Sequence, residues 1–116
     1  MNEKIVASLL RVVLKDLARS KSIITYANLA RSAKVPGPYF IHKTCIALEL
    51  IIEQDVAKNR PLLAAIVISK TRNELPAPGF FQHLTKLGVY CGPEQGKEAA
   101  IFHACELKKV WDFYCD

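Results

Sequence analysis

The residue best suited by its type to nucleophilic chemistry is Cys91, which lies in the loop-like segment Val89-Tyr90-Cys91-Gly92-Pro93. A thiol becomes a catalytic nucleophile only where a base, and a group that orients the base, meet it in space. His83 and His103 are the candidate bases, but no local motif brings either of them to Cys91. An ordinary structural cysteine is therefore the favoured interpretation, and we expect no catalytic residue and no enzyme activity.

The other chemically capable residues do not form a metal or cofactor site. His103 and Cys105 are two positions apart on a predicted helix, so their side chains point to different faces. Glu49, Glu53 and Asp55 would suit acid–base chemistry only if they were buried together, and a solvated helix face is the favoured interpretation of such a run. Because the chain also has no glycine-rich phosphate loop, we expect no metal and no cofactor.

The composition describes a globular chain with a mildly basic character. Its 116 residues suit a single domain, residues 1–116, and 51% of them are hydrophobic against 23% charged. The formal net charge of +5 suits an acidic protein or a nucleic acid as partner. The basic residues are spread along the chain among acids, so the charge alone does not choose between these partners.

Cysteine usage and hydropathy predict a cytoplasmic protein. The chain has four cysteines, Cys45, Cys91, Cys105 and Cys115. None belongs to a Cys-x-x-Cys pair, and we expect all of them to be reduced. The apolar run from Ile5 to Leu10 is interrupted by Arg11 and is too short to cross a membrane, and no cleavage site for a secretion signal follows it. We expect no membrane contact, and a location in the host cytosol if the protein is an exported effector.

A short helix, a turn and a longer helix form the clearest structural pattern. Thr25 is a suitable N-cap for a helix over Tyr26–Ala33, and Val35-Pro36-Gly37-Pro38 ends that helix sharply. A longer helix is predicted from about Pro38 to Lys58. This order is the helix-turn-helix pattern, which occurs in nucleic-acid binders and in many modules that bind protein.

Three further helices are predicted around this pair. The first runs from Glu3 to about Ala18 with Asn2 as its cap. The next begins at Pro78 and ends at Gly88, with Phe80, Phe81, Leu84 and Leu87 facing inward. The last spans about Lys97–Tyr114. The expected core residues are Ile5, Leu9, Val13, Leu29, Ile41, Leu48, Ile52, Ile66, Ile68, Phe81 and Leu84.

A small β element completes the predicted domain. Leu62–Ser69 is short, apolar and β-branched at its end, which predicts a buried strand. Glu74–Pro76 is predicted to return as a brief second strand, so that Lys70–Glu74 resembles a wing. The predicted fold is mainly α with a small β element (α+β), as a compact winged-helix-like domain.

Several short segments resemble a known DNA-binding domain. They are Ile24-Thr25-Tyr26, Leu29-Ala30, Ala47-Leu48, Arg60-Pro61, Ile66-Val67 and Leu87-Gly88-Val89. In their order, these segments are similar to the winged-helix domain of the O6-alkylguanine alkyltransferases and alkyltransferase-like proteins. The family's Pro-Cys-His-Arg acceptor motif is replaced by Leu62-Leu63-Ala64-Ala65, so the resemblance implies DNA binding without alkyl transfer. It also implies that Tyr26 helps to rotate a target base.

A second resemblance concerns the chain as a whole. In size, composition and lack of catalytic groups, it is similar to the small Legionella inhibitors of ubiquitin-directed effectors, a transglutaminase and a deamidase. No motif carries this similarity. It implies a protein that occupies the cleft of a bacterial effector enzyme.

The outer face of the longer helix separates a protein-binding function from a DNA-binding one. Ile46 and Leu50 are one turn apart and are expected to expose an aliphatic strip beside Glu49 and Glu53. Acidic side chains repel phosphate, whereas exposed apolar surface favours a protein contact. Coverage of the strip by another element, such as the last helix, is the alternative. Closure of a homodimer is a further use of the same strip.

We therefore predict a non-catalytic protein-binding module, a regulator or inhibitor that occupies the acidic cleft of a partner enzyme. The predicted contact residues are Arg31, Tyr39, His42, Lys43, Ile46 and Leu50. Tyr39 follows Gly37-Pro38, so we expect it at the exposed start of the longer helix. The alternative function is binding to duplex DNA. Its predicted contacts are Tyr26, Arg31, Lys34, Lys43, Lys70 and Arg72.

Overall fold

Five α-helices and one pair of very short strands form the fold in the computed structural model, which describes residues 2–115. The helices are α1 (Glu3–Arg19), α2 (Tyr26–Ser32), α3 (Phe40–Ala57), α4 (Pro78–Lys86) and α5 (Lys97–Tyr114). The strands β1 (Ile24–Thr25) and β2 (Val67–Ile68) pair in parallel, with Ile24 opposite Val67. The predicted mainly α fold with a small β element is confirmed.

Side-chain caps begin the first two helices as predicted. The backbone N–H of Ile5 donates to Asn2 Oδ1 at 3.0 Å, and that of Asn28 donates to Thr25 Oγ1 at 3.2 Å. Each cap satisfies one N–H group that has no partner within the helix. α3 begins differently, because its N-cap residue Tyr39 makes no side-chain capping bond.

The segment predicted as a buried strand is buried, but most of it is not a strand. Leu63–Ile66 form a 3-10 turn, and Val67–Ile68 alone pair with β1. Helices α1, α3 and α5 pack on this segment, so few strand edges are available to it. Two of its backbone groups bond instead to side chains, those of Asp55 and His103. Buried backbone groups need such partners wherever a sheet does not supply them.

The predicted wing is reduced to a tight turn. The segment Lys70–Glu74 contains a 3-10 turn, and the expected return strand is a single antiparallel bridge between Ser69 and Leu75. Arg72 Nε donates to Pro76 O at 3.1 Å and holds the turn closed. The loop therefore lies against the domain instead of extending from it.

The buried face of α1 differs from the prediction. Ile5 and Leu9 were expected in the core, but they are 49% and 36% exposed. The buried residues of α1 are Val6, Ala7, Leu10, Leu14 and Ala18. Two alanines on this face allow α3 and the Leu63–Ile66 turn to approach the helix closely, which a ranking by apolar size does not anticipate.

α3 is also rotated relative to the prediction, by roughly 60° at 100° per residue. Ile51, which was outside the predicted face, is fully buried. Ile41 was expected in the core but is 44% exposed, because it lies in the first turn, ahead of the buried Leu48 and Ile52 on the same face. The buried residues of α3 are Thr44, Ala47, Leu48, Ile51, Ile52 and Asp55. Thr44 tolerates burial because its Oγ1 donates to Phe40 O at 2.8 Å.

Asp55 is the centre of a buried ion cluster, and its predicted place on a solvated helix face is wrong. Its Oδ1 lies 3.0 Å from Arg11 Nη1 and 3.2 Å from Arg60 Nη2. Its Oδ2 accepts the backbone N–H of Leu63 at 3.2 Å. Arg11 also donates from Nη2 to Gln54 Oε1 at 2.8 Å. The cluster thus joins α1, the end of α3 and the turn that follows it.

Phe81 anchors α4 to α5 through an aromatic cluster. Its ring lies 5.1 Å from that of Phe80, 5.5 Å from that of Tyr90 and 6.5 Å from that of Phe102. Phe80, Phe81 and Leu84 are buried as predicted for this helix. Leu87, which was expected to face inward, is 36% exposed because it follows the end of the helix.

Acidification below pH 6.5 is expected to destabilise the protein through His103. Burial lowers the pKa of this imidazole from its ordinary value of 6.5, and Nε2 donates to Ala65 O at 2.7 Å in the neutral form. At pH values between the pKa of His103 in the folded chain and its pKa in the unfolded chain, the unfolded chain binds a proton that the folded chain does not. The contribution to stability is therefore complete above pH 6.5 and is lost as the pH falls towards the folded pKa.

Urea unfolding of the wild type and of His103→Gln across this pH range measures the effect. The variant should lose the part of the pH dependence that belongs to His103, whatever its stability at neutral pH. His42→Gln is the matched control, because His42 is exposed and should leave the profile unchanged. Equal pH profiles for the wild type and His103→Gln would contradict the prediction.

Candidate protein-binding surface

The start of α3 carries the most exposed large apolar side chain within residues 2–115. Tyr39 is 77% exposed, and it is followed by Phe40 at 38% and Ile41 at 44%. His42 is exposed as well. We call these four consecutive residues the α3-start surface. Clustered exposure of aromatic and aliphatic groups is uncommon on a solvated surface and is typical of contact sites.

Tyr39 is held in the left-handed backbone region, with φ 60° and ψ 37°. Bulky residues rarely adopt this conformation, which costs on the order of 1–3 kcal/mol. Lys34 and Asn59 also have positive φ, but each lies just after a helix, where this conformation closes the last turn. Tyr39 instead precedes a helix and supplies no cap, so helix termination does not account for its conformation.

The connection between α2 and α3 is fastened to the first turn of α3. Lys43 Nζ donates to Pro36 O at 3.1 Å, and the backbone N–H of Lys43 donates to Tyr39 O at 3.0 Å. Lys43 is half-buried in this position. The α3-start surface is therefore presented by a fixed backbone, which reduces the entropy lost when a partner binds.

The aliphatic strip predicted on α3 is less exposed than expected. Leu50 is half-buried and packs against the core, and Ile46 is half-buried too. Glu53 Oε2 lies 2.9 Å from His83 Nε2, and Glu49 Oε1 lies 3.9 Å from His83 Nδ1. The flank of α3 that bears the two acids is therefore joined to α4. Phe40 and Ile41 are the apolar residues that the prediction missed, because Ile41 was assigned to the core.

Of the remaining predicted protein contacts, Lys43 is half-buried and the other three are exposed. Tyr39 and His42 belong to the α3-start surface, and Arg31 is exposed on α2. Arg31 Nη1 donates to Asn28 Oδ1 at 2.6 Å, which holds the guanidinium along its own helix. Arg31, Tyr39 and His42 thus lie exposed on α2, on the connection and on the first turn of α3.

Four of the six predicted DNA contacts bond to other groups of the protein, Arg31 and Lys43 as described above and Tyr26 and Arg72 as follows. Tyr26 accepts the backbone N–H of Ala77 at 2.9 Å, and burial raises the pKa of its hydroxyl to about 12. Arg72 donates to Pro76 O and to Glu94 O. Lys34 and Lys70 are exposed. Tyr26 is half-buried and fastens the start of α4 to the start of α2, so its hydroxyl is engaged within the protein.

Cys91 is exposed, as expected of a loop residue, but its candidate bases have other partners. His83 bonds to Glu53, and His103 is buried against Ala65 O. Within residues 2–115, no three His, Cys, Asp or Glu side chains are grouped so that they could hold a metal ion. None of the helices in the described part of the chain combines the length and the apolar character needed to cross a bilayer.

Comparisons were made with protein-family models, with curated proteins and with solved structures. None of the three returned a match for this chain.

Proposed function

We propose that this protein is a non-catalytic binding module that contacts another protein through the α3-start surface. The observation that carries the proposal is Tyr39, an aromatic side chain that is 77% exposed and held in a strained backbone conformation. A residue kept exposed at the expense of stability is more readily explained by binding than by folding. Tyrosine is also among the residues that dominate binding energy at protein interfaces.

The charges around this surface favour an acidic partner. The first turn of α3 contains no acid, and its uncapped N-terminus carries a positive partial charge. Arg31, Lys34 and Lys43 lie on α2, on the connection and on α3, and the chain has a net charge of +5. Such a field attracts an acidic protein and raises the association rate more than the final affinity.

A protruding aromatic tip on a fixed helix end suits a concave receptor. We therefore propose an acidic cleft in a partner enzyme as the binding site, with Tyr39 inserted and Phe40 and Ile41 packed at its edge. Occupation of the cleft would make the protein an inhibitor or regulator of that enzyme. A cytoplasmic location agrees with this role and belongs to the same proposal.

Replacing Tyr39 with glycine is expected to abolish partner binding without loss of fold. Glycine adopts the left-handed conformation freely, so the free energy of unfolding should stay the same or rise by up to about 1 kcal/mol. Loss of a central aromatic contact should lower partner capture by about tenfold or more. The immobilised protein is incubated with nuclease-treated lysate of the source cell, and the captured proteins are quantified by mass spectrometry.

Ile101→Ala is the matched control, because Ile101 is 55% exposed on α5 and lies away from the α3-start surface in the sequence. It should capture the same proteins as the wild type. Undiminished capture by Tyr39→Gly would contradict the proposal, as would a variant destabilised by several kcal/mol. Light scattering of the wild type and the variant shows whether the partner is a second copy of this chain, because self-association raises the measured mass of the protein alone.

Duplex DNA is the second candidate partner. It is favoured by the exposed lysines Lys34 and Lys70, together with the uncapped start of α3 in a helix-turn-helix order. Binding of this kind depends on released counterions, so its affinity would fall steeply with rising salt. Anisotropy titrations with a labelled duplex at increasing salt, using the wild type and the Lys34→Ala/Lys70→Ala variant, distinguish the two candidates.

A further inference from the structure

A cleft of about 590 Å³ lies between the end of α3 and one face of α5, on residues that the proposed protein contact does not use. Its volume falls within the range of small-molecule sites. The apolar part of its lining includes Val56, Leu62 and Phe102. Val89 and Phe113 border it and are 44% and 57% exposed. The cleft therefore offers a hydrophobic surface that folding alone leaves incompletely covered.

Arg60 lines this cleft and carries an incompletely balanced charge. Asp55 is shared between Arg11 Nη1 at 3.0 Å and Arg60 Nη2 at 3.2 Å, so one carboxylate faces two guanidinium groups. Arg11 has a second acceptor in Gln54 Oε1. Among residues 2–115, Asp55 is the one ion-pair partner of Arg60, and Arg60 Nε is buried without an acceptor. The Arg60 side chain is 28% exposed, so the Arg60 end of the cleft has a surplus of positive charge.

The other charged groups of the cleft are already paired one to one. Glu106 Oε1 accepts from Lys109 Nζ at 3.1 Å, and Asp112 Oδ2 accepts from Lys108 Nζ at 2.8 Å. Each pair is formally neutral, so neither changes the sign of the charge at the Arg60 end. A ligand with a single anionic group would therefore balance the net positive charge of the cleft.

We propose that this cleft binds an amphipathic carboxylate, a molecule with one carboxylate group on an apolar body. The carboxylate bonds to the Arg60 guanidinium, whose planar donor geometry matches carboxylate oxygens. The apolar body lies on Val56, Leu62 and Phe102. A free metabolite and the C-terminus of a peptide share this chemistry.

The test is calorimetric titration with 3-phenylpropionate and with the uncharged 3-phenylpropanamide. The carboxylate should bind saturably, and the amide should bind about tenfold more weakly or not at all. Arg60→Gln should reduce the affinity for the carboxylate to that for the amide. Asp55 keeps Arg11 and the Leu63 N–H as partners in this variant, which is why we expect it to fold.

A second variant tests the apolar part without changing any charge. Val89→Trp should fill the edge of the cleft and weaken binding by about tenfold, whereas Val12→Trp, on an exposed position of α1, should not. An acetylated dipeptide ending in phenylalanine is titrated in parallel. If it binds more tightly than 3-phenylpropionate, the cleft prefers a peptide C-terminus; if it binds more weakly, the cleft prefers a free metabolite. No saturable binding up to about 10 mM, or equal affinity for acid and amide, overturns the proposal. Unchanged affinity in both Arg60→Gln and Val89→Trp overturns it as well.

Discussion

Replacing Asp55 with alanine is expected to lower the free energy of unfolding by about 3–5 kcal/mol, which is typical of breaking a buried ion pair from one side. The substitution leaves Arg11 and Arg60 without their carboxylate and the backbone N–H of Leu63 without its acceptor. Because these groups belong to α1, the turn after α3 and the 3-10 segment, three parts of the fold lose one common partner. Urea unfolding followed by circular dichroism measures the loss.

Asp112→Ala is the matched control for this prediction. Asp112 is also paired with a cation, Lys108, at 2.8 Å, but both side chains are exposed on α5. Solvent screens such a pair, so its removal should leave the unfolding transition unchanged. A similar loss of stability in the two variants would show that the burial of the Asp55 cluster is not what makes it important.

Ile51→Ala is expected to destabilise the protein by about 2–5 kcal/mol, whereas Ile41→Ala should change the stability by no more than about 0.5 kcal/mol. The two residues have the same side chain on the same helix. Ile51 is fully buried, so its truncation leaves a cavity, while Ile41 is 44% exposed. The pair of variants therefore measures which side of α3 faces the core.

The reverse ranking, with Ile41→Ala the more destabilising, would contradict the burial of Ile51 and the exposure of Ile41. Ile41→Ala has a second expected result, because Ile41 belongs to the α3-start surface. It should weaken partner capture while preserving the fold. Ile51→Ala, studied at a temperature where it remains folded, should retain capture.

These predictions are connected through the orientation of α3. Thr44 and Asp55 face inward on the same side of the helix, and each is satisfied there by hydrogen bonds. Ile41 lies on the same face as Leu48 and Ile52, which are buried further along the helix, so its exposure follows from its place in the first turn of α3.

Much of the local structure was determined by the sequence itself. The caps Asn2 and Thr25 set the starts of α1 and α2, since side-chain oxygens at those positions satisfy helix N–H groups whatever the rest of the fold does. The span of α5, Lys97–Tyr114, and the burial of Phe81 followed from local patterns in the same way. Capping and periodicity depend on neighbours within a few positions, so the order of helices and their approximate bounds could be predicted.

The faces of α1 and α3 were decided by tertiary packing. Both helices carry apolar residues around much of their circumference, so periodicity offered several orientations. Small buried residues such as Ala7 and Ala47 favour the observed orientations, because they allow neighbouring segments to approach the helix closely. A ranking of residues by hydrophobicity does not represent this effect. Asp55 could be buried only because Arg11, distant in sequence, reaches it from another helix.

The candidate contact surface depended on the same long-range choice. Tyr39 was predicted to be exposed from its position after Gly37-Pro38, which is local information. Phe40 and Ile41 could not be assigned to the surface, nor Leu50 recognised as half-buried, until the neighbours of α3 in the fold were known. The sequence by itself thus determined which helices form and where they begin. Only the tertiary structure decided which of their apolar residues meet water, because that depends on which distant residues compete for the core.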